Sequence, residues 1–445
     1  MTRKKTTMKR LLDTRRVGAA LAATSLAAAT VGCTSGAANN SDGAACADNS
    51  RPISVGHLNY YTGPFADVGP TFEAITDLTV SMINENPPLG RQLEVVHDDI
   101  GTVGEATVAR NLLQRNKVDV LLNPAHEYSS YRDFMLQQID KNDGPLMPSV
   151  HGGSIDASIG GKPEEALFRG APMDTAAAVA GVMQVKQSGA QRVAVVATQI
   201  SGSQLQKDAA VAAAREIGLE VVQVLDVQPE QANYRSTISS MAGANPDALL
   251  LFSQAEDGGT FVKQAAEAGM SLYVVGSQEW LQEAFPRSAT AGAMAQHKAV
   301  LTAAFAHADS PAWNTLQTAW NESEYAHLTE PENSYVMQYY DLLNVSALAI
   351  EAAGSACSAD WTEAMYEVSG GPGKVVYSYQ EGIEALRNGE QIDYSGVTGD
   401  FDYTDTGVVS GLFGAYAWTP EETLDLVNTL DGTEILDIDE KISQG

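Results

Sequence analysis

The chain has 445 residues, with 56 acidic side chains against 27 basic ones and a formal net charge of -29 at pH 7. A field of that sign repels nucleic acid and anionic lipid, which argues against a nucleic-acid partner and for a soluble, secreted protein suited to salt. Beyond the N-terminus no apolar run is long enough to cross a bilayer.

The chain opens on a basic stretch, MTRKKTTMKRLLDTRR, followed by the alanine-rich VGAALAATSLAAATVG. That run suits the apolar core of an export signal and is too short for a membrane span. Small residues end it at Gly32 and Cys33 follows, so residues 1–32 resemble a bacterial lipoprotein signal, whose cysteine is acylated and becomes the mature N-terminus. Thr30 departs from the aliphatic residue usual three places earlier, and cleavage without lipidation is the alternative. Residues 33–51 are rich in Gly, Ala, Ser, Asn and Asp. They carry too little apolar surface to offset the entropy of ordering, and are expected to act as a flexible leash. In an oxidising compartment Cys46 and Cys357 are either a disulfide that pins the leash to the folded body or two free thiols.

From Pro52 short β-branched runs alternate with longer amphipathic stretches. ISVGHL and QLEVVHDD read as strands around a helix over Thr71 to Asn84, and VDVLLNP follows a helix near Glu105 to Asn116. LMPSV, RVAVVAT, LEVVQVLDV, ALLLFSQ and LYVVGS continue the series, with helices such as QLQKDAAVAAAREIG and GGTFVKQAAEAG between them. Strands that are apolar throughout and alternate with helices predict α/β parallel sheets covered on both faces. The length calls for two such lobes. The first series ends near Phe168-Arg169-Gly170 and the second starts at Arg192; past Ala299 come long helices and then a Gly-, Tyr-, Asp- and Thr-rich tail.

In open α/β sheets ligands gather where strands lead into helix N-termini. The loops there are polar and rich in small or aromatic residues: NYYTGPFADVG, NPAHEYSSYRD, SVHGGS, TQISGSQ, SQAEDGG and GSQEW. Ser129 and Ser130 start a helix and could hold a carboxylate or phosphate, or simply cap that helix. Gly152 and Gly153 permit close backbone approach. Glu256, Asp257 and Glu279 could pair with an ammonium group, and Tyr60, Tyr61, Tyr131 and Trp280 could form apolar walls. Enzyme signatures are poor. His151-Gly152-Gly153-Ser154 lacks a G-x-S-x-G nucleophile, GGPGKV lacks P-loop spacing, His126-Glu127 lacks a second histidine, and His97-Asp98-Asp99 reads as a strand end rather than metal ligands. No catalytic residue, metal or cofactor is expected.

From Ile53 to about Trp418 the chain resembles the branched-chain amino acid binding proteins, the type I periplasmic binding family that feeds ABC transporters. The resemblance lies in the order of VGHLNYYTGPFADVG, VVHDDIGTVGEATVARNLLQRNKVDVLLNP, LFRGAPMD, RVAVVAT and the closing YSYQEGIEALRNGEQIDYSGVTGDFDYTDTGVVSGLFGAYAW. It implies two Rossmann-like lobes joined by three crossing strands, with a ligand in the cleft between them. Lobe I would be 52–171 with 301–368, lobe II 172–300 with 369–430, and 431–445 a tail. It also implies that the carboxylate of an amino acid sits at Ser129 and Ser130 beside Tyr131, with His151, Gly152 and Gly153 following. On the second lobe it implies contacts at Gln199, Gln254 to Glu256, and Gln278 or Glu279, where an acid receives the amino group. Gln278 takes the place expected for that acid, and His126 and His151 replace smaller residues. The ligand would then be an amino acid, an amide, a urea-like compound or an aromatic acid. The partners would be ABC permease subunits and, through Cys33, the membrane. A ligand-sensing receptor domain of the same fold is one alternative. An exported α/β hydrolase with Ser154 or Ser201 as nucleophile and His151 as base is the other.

Overall fold

The computed structural model describes residues 50–142, 144–305, 310–409 and 411–443. The expected signal, the lipid site at Cys33 and Cys46 lie outside the described residues. Cys357 is disulfide-bonded, so it is not a free thiol.

The first sheet is built from β1 (Ile53–Asn59), β2 (Leu93–Asp99), β3 (Val120–Leu122), β4 (Met147–Ser149) and β5 (Leu167–Arg169). β1 lies between β2 and β3, and β4 pairs β5, every pairing being parallel. Leu121 N donates to Leu146 O at 2.9 Å and Asn123 N to Pro148 O at 2.8 Å, which carries the ladder from β3 to β4. The second sheet begins with β6 (Arg192–Thr198), β7 (Glu220–Val227), β8 (Ala248–Phe252), β9 (Tyr273–Gly276) and β10 (Val300–Ala304), all parallel in the order β7-β6-β8-β9-β10. In β8 every residue is buried. Leu250 packs on one face of the sheet, and Leu249 and Leu251 on the other, as the two-residue period of a strand covered on both sides requires.

After β10 the chain returns to the first lobe. Helix Ser334–Ala353 is buried along almost its whole length and packs against helix Gly69–Asn84. The strands β11 (Lys374–Val376), β12 (Ile392–Gly396) and β13 (Gly399–Asp400) form a small sheet beside it. A third passage brings β14 (Phe413–Trp418) and β15 (Leu424–Leu430) antiparallel onto β10, completing the seven-stranded sheet. The result is two α/β lobes with parallel sheets, linked by three passages of the chain.

The lobe boundaries differ from those expected. Residues 369–409 were assigned to lobe II, but Val376, Ile383, Ile392, Tyr394 and Phe401 belong to the first core. The anchor is the buried carboxylate of Asp341, which accepts from Val397 N at 2.9 Å, Thr398 N at 2.8 Å, Thr398 Oγ1 at 2.8 Å and Tyr394 Oη at 2.9 Å. Gly396 passes so close that a Cβ there would lie 2.5 Å from that carboxyl group. β10 pairs within the second sheet, with Leu301 and Ala303 in a second-lobe core, while Ala304 at its end packs into the first core. Residues 432–443 are no tail: helix Gly432–Ser443 buries Ile435 and Ile438 in the second core.

Candidate functional site

Residues from both lobes converge where the loop after β4 meets the starts of two second-lobe helices. On the first lobe, Asn333 caps helix Ser334–Ala353 by accepting from Tyr335 N at 3.0 Å. That start sets Tyr335 and Tyr339, four residues apart, on one face of the helix. Phe72 stacks on Tyr339 and meets Tyr335 edge-on, with ring centroids 5.2 and 4.9 Å away. His151 lies 5.8 Å from the rings of both Tyr60 and Tyr335. Phe65 extends the group, 5.2 Å from Tyr60 and 6.2 Å from His126.

The histidines of this group form a chain of contacts with Tyr339 and Asp77. His151 Nε2 lies 3.2 Å from Tyr339 Oη, which is also 3.3 Å from His57 Nε2; His57 Nδ1 lies 2.8 Å from His97 Nδ1, and His97 Nε2 2.9 Å from Asp77 Oδ1. Burial pushes His151 down to about 3 and His57 well below the ordinary imidazole range. His126 is exposed, with its Nδ1 2.8 Å from Ser154 Oγ. Glu73, Asp77 and His97 place their ligand-type atoms within 4.8 Å of one another, a grouping the sequence did not suggest.

On the second lobe, helix Asp174–Gln187 starts directly after the first crossing and carries Asp174 in its first turn. Gly153 faces it: a Cβ on Gly153 would fall 2.7 Å from Asp174 Oδ1, and one on Gly202 would fall 3.5 Å from Asp174 Oδ2 and 3.7 Å from His126 Cε1. Asp174, Gly153, Gly202 and His126 are therefore neighbours across the two lobes. Burial first, and then the charge of Glu279, push the Asp174 carboxyl up to about 7, and burial raises Glu279 too. Ser277 Oγ donates to Glu279. The Tyr335 hydroxyl is acted on most strongly, after burial, by Glu279 and Asp174, with Tyr60 and Asp67 next.

Of the residues expected in the site, Tyr60, His151, Gly152, Gly153 and Glu279 belong to this neighbourhood, and Gln278 adjoins Glu279 in the turn after β9. Others do not. Ser129 and Ser130 are exposed on helix Tyr128–Asn142. The loop N–H groups of Ala125 and Glu127, just before that helix, donate instead to the chain's own buried Glu105, at 2.7 and 3.1 Å. Tyr131 is buried and donates to Glu105 at 2.5 Å. Tyr61 is 36% exposed and donates to Glu73 at 2.6 Å, on the outer surface. Trp280 is wholly buried, stacked on Phe285 at 4.1 Å in a recess that Gly258 and Gly276 leave open. Gln199 accepts from Gln228 at an exposed position. Glu256 is exposed, and Gln254 precedes helix Ala255–Glu267 without capping it through its side chain. Asp257 is structural, accepting from Tyr234 Oη at 2.6 Å and Glu230 N at 2.9 Å.

Three residues of this neighbourhood were not among those expected. Asp174 stood in LFRGAPMD as a mark of the crossing, and Tyr335 and Tyr339 stood in a segment read only as a long helix. The Asn333-Ser334 start was the signal available, since it fixes which face of the helix the tyrosines share.

Arg169, at the end of β5, organises the loop that bears these groups. Its guanidinium is fully buried and donates to the carbonyls of Gly152, Ile155, Asp156, Ile159 and Thr406 at 2.9–3.3 Å. Burial lowers it to about 10, so it stays charged at neutral pH with its donors turned to backbone.

The family model described as periplasmic binding protein matches residues 52–378. No curated protein sequence matches the chain. Among solved structures, the leucine-binding protein LivK of Thermotoga maritima is 16% identical with a TM-score of 0.67, over 86% of this chain and 99% of its own. The branched-chain amino acid transporter substrate-binding protein LivJ of Streptococcus pneumoniae, solved with isoleucine, is 19% identical with a TM-score of 0.64, over 85% of this chain and 100% of its own. An ABC transporter solute-binding protein of R. palustris, solved with benzoate, is 16% identical with a TM-score of 0.63, over 85% of this chain and 96% of its own.

Proposed function

The chain belongs to the periplasmic binding protein family, and from that premise we propose that it is the extracytoplasmic solute-binding component of an ABC importer. It captures one small polar solute between its lobes and delivers it to a membrane permease. The observation that carries this reading is the meeting of Gly153 and His126 with Asp174 and Gly202, first lobe against second, beside tyrosine hydroxyls and carboxylates. A solute that touches both sides stabilises the closed form by its additional contacts, whereas one that touches a single lobe shifts nothing. The three passages between cores serve as the hinge. Leucine, isoleucine and benzoate, named for similar structures, set the size of solute to be considered. Acylation at Cys33 and the leash that follows would keep the protein near its permease and raise its effective concentration there.

The test is titration calorimetry of the mature chain against amino acids, amides, amines and aromatic acids. One solute bound per chain and recovered unchanged supports the reading. Absence of any heat of association across those classes removes it. The 2.8 Å contact of Ser154 Oγ with His126 Nδ1 favours a hydrolase as the second reading, with His126 rather than His151 as base. Ester or amide turnover that disappears in Ser154→Ala would establish that alternative.

A further inference from the structure

The chemistry of the cleft narrows the class of solute, an inference that rests on the solute-binding reading above. The Tyr60 and Tyr335 rings are more than nine-tenths buried, at 8% and 9% exposure. Among the described residues neither hydroxyl has a hydrogen-bond partner in the protein, although every other tyrosine of the buried group around them has one: Tyr339 meets His57, Asn123 and His151. The two oxygens themselves are not enclosed, so a solute or water can reach them from the cleft. After burial, the charges that act most strongly on these two hydroxyls are carboxylates, Glu105 and Glu127 on Tyr60, and Glu279, Asp174 and Asp67 on Tyr335.

Among the described residues no Lys or Arg side chain is recorded with a polar contact to this neighbourhood other than Arg169. Burial holds His151 neutral, the exposed His126 faces Ser154 Oγ through Nδ1, and the buried Arg169 directs its donors to backbone carbonyls. The backbone N–H groups of Ala125 and Glu127, which would suit a solute carboxylate, already hold Glu105. A solute carboxylate brought here would meet Asp174 and Glu279 without a counter-charge, whereas an ammonium would find two carboxylates, phenolic oxygens and aromatic faces.

We propose that the solute is a small organic cation without a carboxylate, its charge facing Asp174 and Glu279 and its apolar body against Tyr60, Phe65 and Tyr335. Amino acids and aromatic acids are thereby disfavoured relative to amines and quaternary ammonium compounds.

The experiment is calorimetry of the mature chain at pH 8 with three sets of probes. Choline, putrescine and agmatine represent cations; 3,3-dimethylbutanol is a neutral isostere of choline; leucine, isoleucine and benzoate represent carboxylates. The expected result is one-to-one binding of at least one cation, with the neutral isostere and the carboxylates at least 100-fold weaker if choline is that cation, and the carboxylates at least 100-fold weaker in any case. Asp174→Asn and Glu279→Gln should each weaken the cation at least tenfold, while Tyr335→Phe weakens it less and leaves the circular dichroism spectrum unchanged. Tighter binding of leucine, isoleucine or benzoate than of any cation would overturn the proposal and leave the solute-binding reading standing. Cation binding that is indifferent to both carboxylate substitutions would overturn it too. No binding by any probe would count against both.

Discussion

Gly153 leaves room for the Asp174 carboxylate: a Cβ at Gly153 would lie 2.7 Å from Asp174 Oδ1 and 3.0 Å from Pro172 O. The first prediction rests on this close approach between the lobes. Gly153→Val should weaken solute binding at least tenfold by holding the lobes apart, while Gly202→Ala, with 3.5 Å of room, should weaken it less. Calorimetry on the two variants checks the order.

Asp174 sets a pH dependence. Its folded-state value of about 7 stands above the ordinary carboxylate value of 3.8, so the folded chain holds this proton more tightly than the unfolded one. The associated stability is fully present below about pH 4 and is lost as the pH rises through about 7. The groups facing Asp174 are Glu279, Tyr335, His126 and the Gly153 backbone. Asp174→Asn should match the unliganded wild type near pH 4 and exceed it by roughly 1–3 kcal/mol at pH 8. Urea melts at the two pH values measure the difference.

Arg169 holds the loop that carries His151 to Ser154. Arg169→Leu removes hydrogen bonds to five buried or half-buried carbonyls. It should cost about 3 kcal/mol or more and lower solute affinity as well. Denaturant unfolding with and without solute separates the two effects.

Asp341 ties the segment around β12 to the first lobe through four accepted hydrogen bonds. Asp341→Ala should destabilise the protein by roughly 2–4 kcal/mol by leaving those donors unpaired. Hydrogen exchange should show the loss of protection concentrated at Val397 and Thr398.

Ser129→Ala with Ser130→Ala should change affinity by less than twofold, because both side chains are exposed. Trp280→Ala should instead cost about 3–5 kcal/mol of stability through the cavity it opens beside Phe285. Thermal melts and titrations of the same samples test both statements.

The alternation of β1 to β10 with helices was legible because each strand is short, apolar and followed by an amphipathic run. That Glu279, His151 and the Gly152-Gly153 turn lie near the meeting of the lobes was legible because they follow strand ends. Trp280 was misread because the recess that accepts it is made by Gly258 and Gly276, and Gly258 lies twenty-two residues away on a different element. That Glu105 takes the loop N–H groups before Ser129 and Ser130 was not legible because Glu105 comes from a separate helix. The return of residues 369–409 to the first lobe depends on Asp341, a buried acid in the middle of a largely apolar helix whose partners lie more than fifty residues on. Local pattern carries no trace of such pairings, whereas it carries the period of a strand or helix directly.

The central claim is that two hinged lobes enclose one solute and release it chemically unaltered. Small-angle scattering on the mature chain, with and without a solute that calorimetry shows to bind one-to-one, tests it most directly. The account predicts a smaller radius of gyration at saturation and full recovery of the solute afterwards. A radius that does not change at saturation, or a solute consumed during the measurement, would contradict it.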